Sequence, residues 1–159
     1  MPTRPDAAAL VALLPGTWRL GATNFPMWLA GDRLLPTFRY ALKSTDPLVF
    51  DAVVSYTSPD GAENSLVGVD RYRLDEFVGR SRRLLSLRTS RWSVVGVSDD
   101  ANVLVRRFHK SLFAPAGVDV VVREGTESQE FRAVVAVASE YLGLTDGEFA
   151  SLSWLAIAD

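Results

Sequence analysis

The sequence predicts an all-β protein: an eight-stranded antiparallel up-and-down β-barrel with a short N-terminal helix and one C-terminal amphipathic helix packed on the wall. Three observations predict this fold class. Turn signals recur regularly, the runs between them alternate apolar and polar residues, and the pattern changes to helical spacing after residue 124. With 159 residues, 48% of them apolar, the chain has the length of one domain and enough apolar surface for a core. We therefore expect a single domain over residues 1–159.

Short turn sequences such as Ser58-Pro59-Asp60-Gly61 separate runs rich in valine and aromatic residues. They predict strands at about residues 16–24, 34–43, 48–58, 63–73, 75–80, 88–98, 102–110 and 118–124. The fifth predicted strand has the least clear alternation of apolar and polar residues. Sequential antiparallel strands bury one face by stacking as a sandwich or by closing into a barrel. Short hairpins favour the barrel, which leaves no exposed edge and whose interior holds packed side chains or one small ligand.

The segments on either side of the strands have helical signals. Asp6 is a typical N-cap for a short helix over residues 7–14, and no small-residue cleavage site follows that would indicate a signal peptide. Thr126 and Gln129 predict a capping box for a helix over residues 127–142. Its apolar stripe, which we expect to pack on the sheet, consists of Phe131, Val134, Val135, Ala138, Tyr141 and Leu142.

The end of the chain has two interpretations. Gly143 is expected to terminate the preceding helix in a left-handed conformation. In the tail, residues 145–159, Thr145 and Glu148 suggest another capping box and a short helix. A ninth strand beside the first is the alternative, and it would contain Leu152, Trp154 and Leu155.

The composition excludes several classes of site. The chain has no cysteine and a single histidine, His109, which excludes disulfides, cysteine chemistry and multi-histidine metal cages. We expect neither a metal nor a cofactor. With 17 basic and 19 acidic residues the chain does not resemble a nucleic-acid-binding domain, and no apolar run approaches the ~20 residues that cross a membrane. We interpret a local basic run as a solvated face; it contains Arg80, Arg82, Arg83, Arg88 and Arg91.

The start of the first strand carries a family resemblance. Gly16-Thr17-Trp18, after a short helix, resembles the Gly-x-Trp signature of the lipocalins, which are eight-stranded barrels with a C-terminal helix on the wall. The resemblance implies that Trp18 plugs the closed end of the barrel and that Arg123, at the end of the last strand, packs on it. The family's second motif, a Thr-Asp-Tyr-like turn, is absent, and Ser98-Asp99-Asp100 stands in its place. The disulfides of extracellular members are also missing, so we expect a divergent, cytoplasmic lipocalin-like protein.

The segment 23–33, between the first two strands, has more apolar side chains than a loop normally carries. Phe25, Met27, Trp28 and Leu29 need an apolar surface to cover, and the mouth of a barrel offers one. Lipocalins have a long first loop at this place that acts as a lid. The alternative is a loop packed on the outer wall or on a partner chain.

Alternation along the strands predicts which side chains point into the barrel. The expected interior set is Leu20, Ala22, Phe38, Tyr40, Phe50, Val54, Tyr56, Phe77, Trp92 and Val94. This mixture of apolar and hydroxyl-bearing side chains suits a small-molecule site. A solid core without a cavity is the alternative.

Alternation does not decide the two most polar strands. In the fourth, Arg71 and Arg73 suggest that Asp70 points inward. In the seventh, one face carries Arg107 and His109, and the other contains Leu104, Arg106, Phe108 and Lys110. If the first face is inside, Asp70 and Arg107 should pair, because a buried charge needs a partner. A shift of one residue reverses every assignment.

These patterns favour a protein that binds a small hydrophobic molecule inside the barrel, under a lid formed by residues 23–33. The candidate ligand-binding residues are Phe25, Met27, Trp28, Phe38, Tyr40, Phe50, Tyr56, Trp92 and Arg107. The first alternative is a cofactor-free cyclase or isomerase for a small secondary metabolite, with Asp70, Tyr72 and His109 as candidate acid–base groups. The second alternative is haem binding, since the nitrobindin family also begins with a Gly-Thr-Trp strand, although it places its haem-ligating histidine later in the chain.

Overall fold

A computed structural model describes residues 4–83, 86–112 and 115–157 of the protein. Within these ranges every strand belongs to one antiparallel sheet in which sequential neighbours pair and β1 pairs with both β2 and β8. The strands are β1 (Gly16–Thr23), β2 (Leu34–Thr45), β3 (Leu48–Thr57), β4 (Glu63–Arg73), β5 (Glu76–Arg83), β6 (Ser86–Val97), β7 (Val103–Phe108), β8 (Gly117–Arg123) and β9 (Ser153–Trp154). The first eight close an up-and-down barrel, which confirms the predicted fold class.

The helices are α1 (Ala7–Leu13), α2 (Pro26–Leu29), α3 (Ser128–Ala138) and α4 (Asp146–Ser151). The Asp6 side chain caps α1 by accepting a hydrogen bond of 2.8 Å from the backbone N–H of Ala9. Leu10 and Leu14 are almost fully buried in the cluster of side chains that fills the barrel interior. The N-terminal helix therefore covers one end of the barrel.

The C-terminal helix is shorter than predicted. The capping box of Thr126 and Gln129 is wrong: the N-cap is Glu127, and no side chain caps it. Thr126 is instead part of the turn after β8, where its N–H donates to the Arg123 carbonyl at 3.1 Å. The helix stops at Ala138, and irregular turns follow before Gly143, whose φ is +80°. Within the predicted stripe, Tyr141 is about half exposed, because it belongs to these turns and not to the helix.

Both interpretations of the tail are correct, in succession. Thr145 and Glu148 form a capping box at the start of α4. Ser153 and Trp154 then form β9 beside β1. The tail thus packs on the outside of the barrel.

The apolar core has two parts. One fills the barrel, and the other lies between α3, the tail and the outer face of β1 and β6–β8. Ala22, predicted inside, belongs to the outer part, because the β1–β8 register shifts between Leu20 and Ala22. The shift occurs at Gly21, where a Cβ would collide with Phe131 of α3 at 2.7 Å. The bulge thus turns the end of β1 so that α3 can pack closely.

Trp18 lies fully buried at the helix-covered end of the barrel, and Arg123 lies on it. The Arg123 guanidinium is 4.2 Å from the centroid of the Trp18 ring and donates to the carbonyls of Leu13 and Pro15 at 2.8 and 3.2 Å. The Trp18 indole N–H donates to the Leu14 carbonyl at 3.0 Å. The contact between Trp18 and Arg123 is the one that the lipocalin resemblance implies, and it ties α1 to the barrel.

We predict that Arg123→Ala lowers the free energy of unfolding by about 2 kcal/mol, because it removes a cation–π contact and two hydrogen bonds to carbonyls. Chemical denaturation measures the change. Arg39→Ala is the matched control: Arg39 is exposed on β2, and its loss should change stability by no more than about 0.5 kcal/mol. Equal effects of the two substitutions would show that the Arg123 contact does not stabilise the closed end.

Candidate functional site

A cavity of about 260 Å³ lies inside the barrel. Its size is near the lower end of the range of small-molecule sites, which favours a ligand of one or two rings. Aromatic side chains supply much of its wall, namely Phe25, Trp28, Phe38, Tyr40, Tyr56, Trp92 and Phe108. The barrel interior is therefore not a solid core.

Five aromatic rings form a continuous row along the inner wall. Centroid distances are 5.0 Å for Tyr72–Phe77, 4.5 Å for Phe77–Trp92, 5.9 Å for Trp92–Phe108 and 5.3 Å for Phe108–Phe25. The first four rings are register partners on adjacent strands, so the sheet pairing itself places them side by side. Trp92, Phe108 and Phe25 of this row line the cavity, and Tyr72 and Phe77 continue the row beyond the cavity.

Arg106 of β7 holds the polar centre of the site together. It is 2% exposed, and it donates to Asp119 of β8 at 2.9 Å and to the Tyr40 hydroxyl of β2 at 2.7 Å. Asp119 also accepts from the Thr23 hydroxyl at 2.7 Å, and Thr23 in turn accepts from the N–H of Phe25 at 3.0 Å. A chain of hydrogen bonds therefore joins the barrel interior to the start of the 23–33 segment.

The aromatic wall further stabilises the Arg106 charge. Its guanidinium carbon lies 4.0 Å from the ring centroid of Phe38, and 5.2 to 5.5 Å from those of Phe108 and Trp92. Burial alone would lower the pKa of Arg106, but Tyr40 and Asp119 raise it, so the guanidinium stays charged. Burial raises the pKa of Tyr40, which remains a neutral phenol.

Asp70 of β4 is the second buried carboxyl in the cavity wall. It is 7% exposed, and its Oδ1 accepts a hydrogen bond of 2.9 Å from the Trp92 indole N–H. Burial raises the pKa of Asp70, and the Trp92 bond and the Arg106 charge offset only part of this effect. The prediction that Asp70 points inward is correct, but its predicted partner, Arg107, is not there.

Arg107 lies on the outer face of β7, which corrects its assignment as a ligand-binding residue. Its guanidinium donates to Glu148 of α4 at 2.7 and 2.9 Å and to the Gly143 carbonyl at 2.7 Å. The face of β7 that points inward carries Leu104, Arg106 and Phe108. Alternation alone could not show which face of β7 points into the barrel, because both faces contain an arginine.

The other predicted ligand-binding residues line the cavity, with the exception of Phe50. The cavity wall includes Phe25, Met27, Trp28, Phe38, Tyr40, Tyr56 and Trp92. Phe50 is fully buried in the interior cluster, 5.9 Å from the Phe77 ring, and does not line the cavity. Phe50 therefore belongs to the filled part of the barrel interior.

The three candidate acid–base residues do not form a cluster. Tyr72 donates to Asp75 at 3.5 Å, outside the cavity lining, whereas Asp70 accepts from Trp92. His109 lies at the rim, where half of its side chain is exposed and its Nε2 is 2.6 Å from Glu76. Neither the cyclase nor the haem-binding alternative gains support from these positions.

The site residues predicted from the sequence do not include Arg106, Asp119 or Thr23. Asp119 is the one charged residue in the apolar run from Val118 to Val122, and such an isolated acid signals a buried charge that needs a partner.

Within the described residues no group of three or more histidine, cysteine, aspartate and glutamate side chains is placed to hold a metal ion. Nor is any helix among them long and apolar enough to cross a membrane.

Comparison with known proteins identifies the fold. No protein-family model matches the sequence, and no curated protein does. Solved structures match it. Lobster apocrustacyanin A1 has a TM-score of 0.64 at 11% identity, covering 97% of this chain and 87% of its own. The amine-binding protein of Rhodnius prolixus, in its tryptamine complex, has a TM-score of 0.66 at 13% identity, with 97% and 84% covered.

Bovine odorant-binding protein, as a deswapped triple mutant, has a TM-score of 0.54 at 13% identity, covering 89% of this chain and 92% of its own. All three are lipocalins. The chain therefore has the lipocalin fold, which the Gly16-Thr17-Trp18 signature predicts.

We predict that neutralising the two buried aspartates changes stability in opposite directions. Asp119→Asn leaves the Arg106 charge without its partner and should cost about 3 kcal/mol in the free energy of unfolding. Asp70→Asn keeps an acceptor for Trp92 but removes a carboxylate that burial disfavours, and it should raise the melting temperature at neutral pH.

The pH dependence of the melting temperature tests whether the buried Asp70 carboxylate is the cause of this stability difference. Because the pKa of Asp70 is raised in the folded protein, the contribution of Asp70 to the free energy of unfolding falls as the pH rises from the ordinary aspartate pKa to the raised pKa, and it is constant above that. The melting-temperature advantage of Asp70→Asn over the unaltered protein should therefore grow from acidic to neutral pH and then level off. An advantage that shrinks as the pH rises would contradict this account.

Proposed function

We propose that the protein binds a small, mainly apolar molecule in the barrel cavity and that residues 23–33 form the lid over it. The aromatic-lined cavity with two buried polar centres, Arg106 and Asp70, carries this proposal. Pockets of this kind hold ligands through buried apolar area and orient them with a few polar groups. The barrel interior has room for such a ligand beside both of these polar centres.

The contacts of the 23–33 segment support its role as a lid. Phe25 and Trp28 are 4% and 8% exposed, and their rings make edge contacts with Phe108 and Phe38 of the cavity wall. On the same short helix as Trp28, Met27 and Leu29 are each 42% exposed. The lid thus turns its large rings toward the cavity, and a ligand would pass beneath them.

The structural neighbours are consistent with a binding role. Among the lipocalins that share this fold are a protein that binds amines and a protein that binds odorants. The amines and odorants are ligands of those neighbours. For this chain we infer only that the barrel interior binds a small molecule.

We further propose that the protein works in the cytoplasm. The sequence has no cysteine, so it lacks the disulfides that stabilise many secreted proteins. Fractionation of cells that make the untagged protein tests this: we expect it in the cytosolic fraction, and its accumulation in the medium would overturn the proposal.

Native mass spectrometry of the purified protein and titration with the apolar dye N-phenylnaphthylamine test the binding function. We expect a co-purified small molecule, or saturable dye binding near one molecule per chain with enhanced dye fluorescence. A protein that carries nothing and does not bind the dye would contradict the proposed function. Release of a chemically altered molecule would point to catalysis in the same cavity.

We predict that Trp28→Ala weakens dye binding by about tenfold, because it removes a buried ring that covers the cavity, and a tenfold loss corresponds to about 1.4 kcal/mol. Leu29→Ala is the matched control: Leu29 is the next residue on the same helix, is half exposed and does not line the cavity. It should leave the dissociation constant unchanged. Equal affinities of the two variants would show that the segment is not a lid.

A further inference from the structure

We propose that the ligand of this cavity is a small amine with an aromatic or apolar body, and that its ammonium group binds the carboxylate of Asp70. This inference rests on the proposed function and specifies the chemical class of the ligand. It follows from the distribution of charge and hydrogen bonds among the side chains that the structure describes.

Asp70 is a buried acid that lacks a cation. Its described hydrogen bond comes from the neutral Trp92 indole, and no arginine, lysine or histidine in the described part of the chain lies within 4.0 Å of it. The two carboxylate oxygens together can accept about four hydrogen bonds, so one indole N–H leaves most of this capacity unused. Asp70 lines the cavity, so a ligand can reach it.

Arg106, the buried cation of the cavity, is committed elsewhere. It is paired with Asp119 at 2.9 Å and donates to Tyr40 at 2.7 Å. The remaining Nε has no partner, but it is not accessible from the cavity. Of the three buried charged groups in the cavity wall, Arg106 is paired with Asp119, and Asp70 is left without a cation of its own, so a ligand ammonium at Asp70 supplies that partner. Arg33, Arg80 and His109 also line the cavity, but they lie at partly or fully exposed positions and not within 4.0 Å of Asp70.

The surroundings of Asp70 also suit an ammonium group. On β5 its register partner is Gly79, where a Cβ would lie 2.5 Å from Asp70 Oδ1, so the carboxylate needs a glycine opposite it. The Trp92 ring lies beside Asp70, and the Tyr40 ring is 5.8 Å from Trp92. Aromatic faces around a desolvated cation add cation–π attraction to the charge pair.

Burial makes an unpaired carboxylate costly, and it raises the pKa of Asp70. Among the described side chains, the titratable groups that face Asp70 are Arg106 from β7 and Tyr40 from β2, with Asp119 beyond Arg106. The residues that adjoin it on β3, β5 and β6 are not titratable: they are Phe50, Gly79 and Trp92. A bound ammonium would supply the missing counter-charge and favour ionised Asp70.

A matched series of ligands tests the inference by calorimetry on the protein. The series is naphthylethylamine, naphthylethanol and naphthylacetate of one ring isomer, which share an aromatic body and differ in the charge of the head group. We expect the amine to bind at least about tenfold more tightly than the alcohol at neutral pH, the acid being weakest. Asp70→Asn should reduce the amine-to-alcohol ratio to about one.

Asp51→Asn is the matched control, since it removes the same charge from an exposed position on β3. It should leave the ratio as in the unaltered protein. A second measurement needs no variant: amine affinity should fall on acidification as Asp70 takes up a proton, while alcohol affinity should not.

The outcomes separate this inference from the proposed function. If the alcohol binds as tightly as the amine, or the acid binds most tightly, the amine inference is overturned while the binding function stands. A preference for the amine that survives in Asp70→Asn also overturns it. If none of the three compounds binds and the dye does not bind either, both proposals fail.

Discussion

A guanidinium inside an apolar barrel must have a carboxylate beside it, and Asp119 meets this requirement for Arg106. The pair does more than neutralise a charge. Through Tyr40 it fixes the position of β2, and through Thr23 it reaches the backbone of Phe25 at the start of the 23–33 segment. Strand β2, the adjacent strands and the 23–33 segment are therefore positioned relative to one buried ion pair. Because each bond in this chain is buried or nearly so, water competes with it little.

The same pair sets the polarity of the cavity. With the Arg106 charge balanced by Asp119, the second buried acid of the cavity wall, Asp70, is left with a neutral donor. A cavity in which all charges were paired internally would favour an apolar ligand alone. For the proposed ligand, the cavity-lining rings of the aromatic row, Trp92, Phe108 and Phe25, would supply apolar contact, and Asp70 would supply a charged acceptor that distinguishes ligands of equal shape.

Much of the fold can be predicted because one face of the sheet is buried and the other faces solvent. Most strands therefore alternate apolar and polar residues along the sequence. The prediction for Asp70 is correct because Arg71 and Arg73 occupy the opposite parity. The prediction for Ala22 is wrong because the bulge at Gly21 depends on the approach of α3, a tertiary contact that alternation does not encode. The alternation of residues along each strand predicts most of the aromatic side chains that line the cavity. It does not predict the hydrogen-bonded group around Arg106, because the members of that group come together only when the sheet closes into a barrel.

Strand β7 shows how that closure chooses between two registers. Arg106 and Arg107 are adjacent and therefore point to opposite faces, and each meets its own acid: Asp119 inside the barrel and Glu148 on α4 outside. A slip of one residue would exchange the two faces of β7 and move both guanidinium groups away from these acids. Asp119 would then be buried without its cation, at a cost of several kcal/mol. In the sequence, the two adjacent arginines make it impossible to decide which face of β7 points inward. In the folded protein, their two ion pairs fix the register of β7.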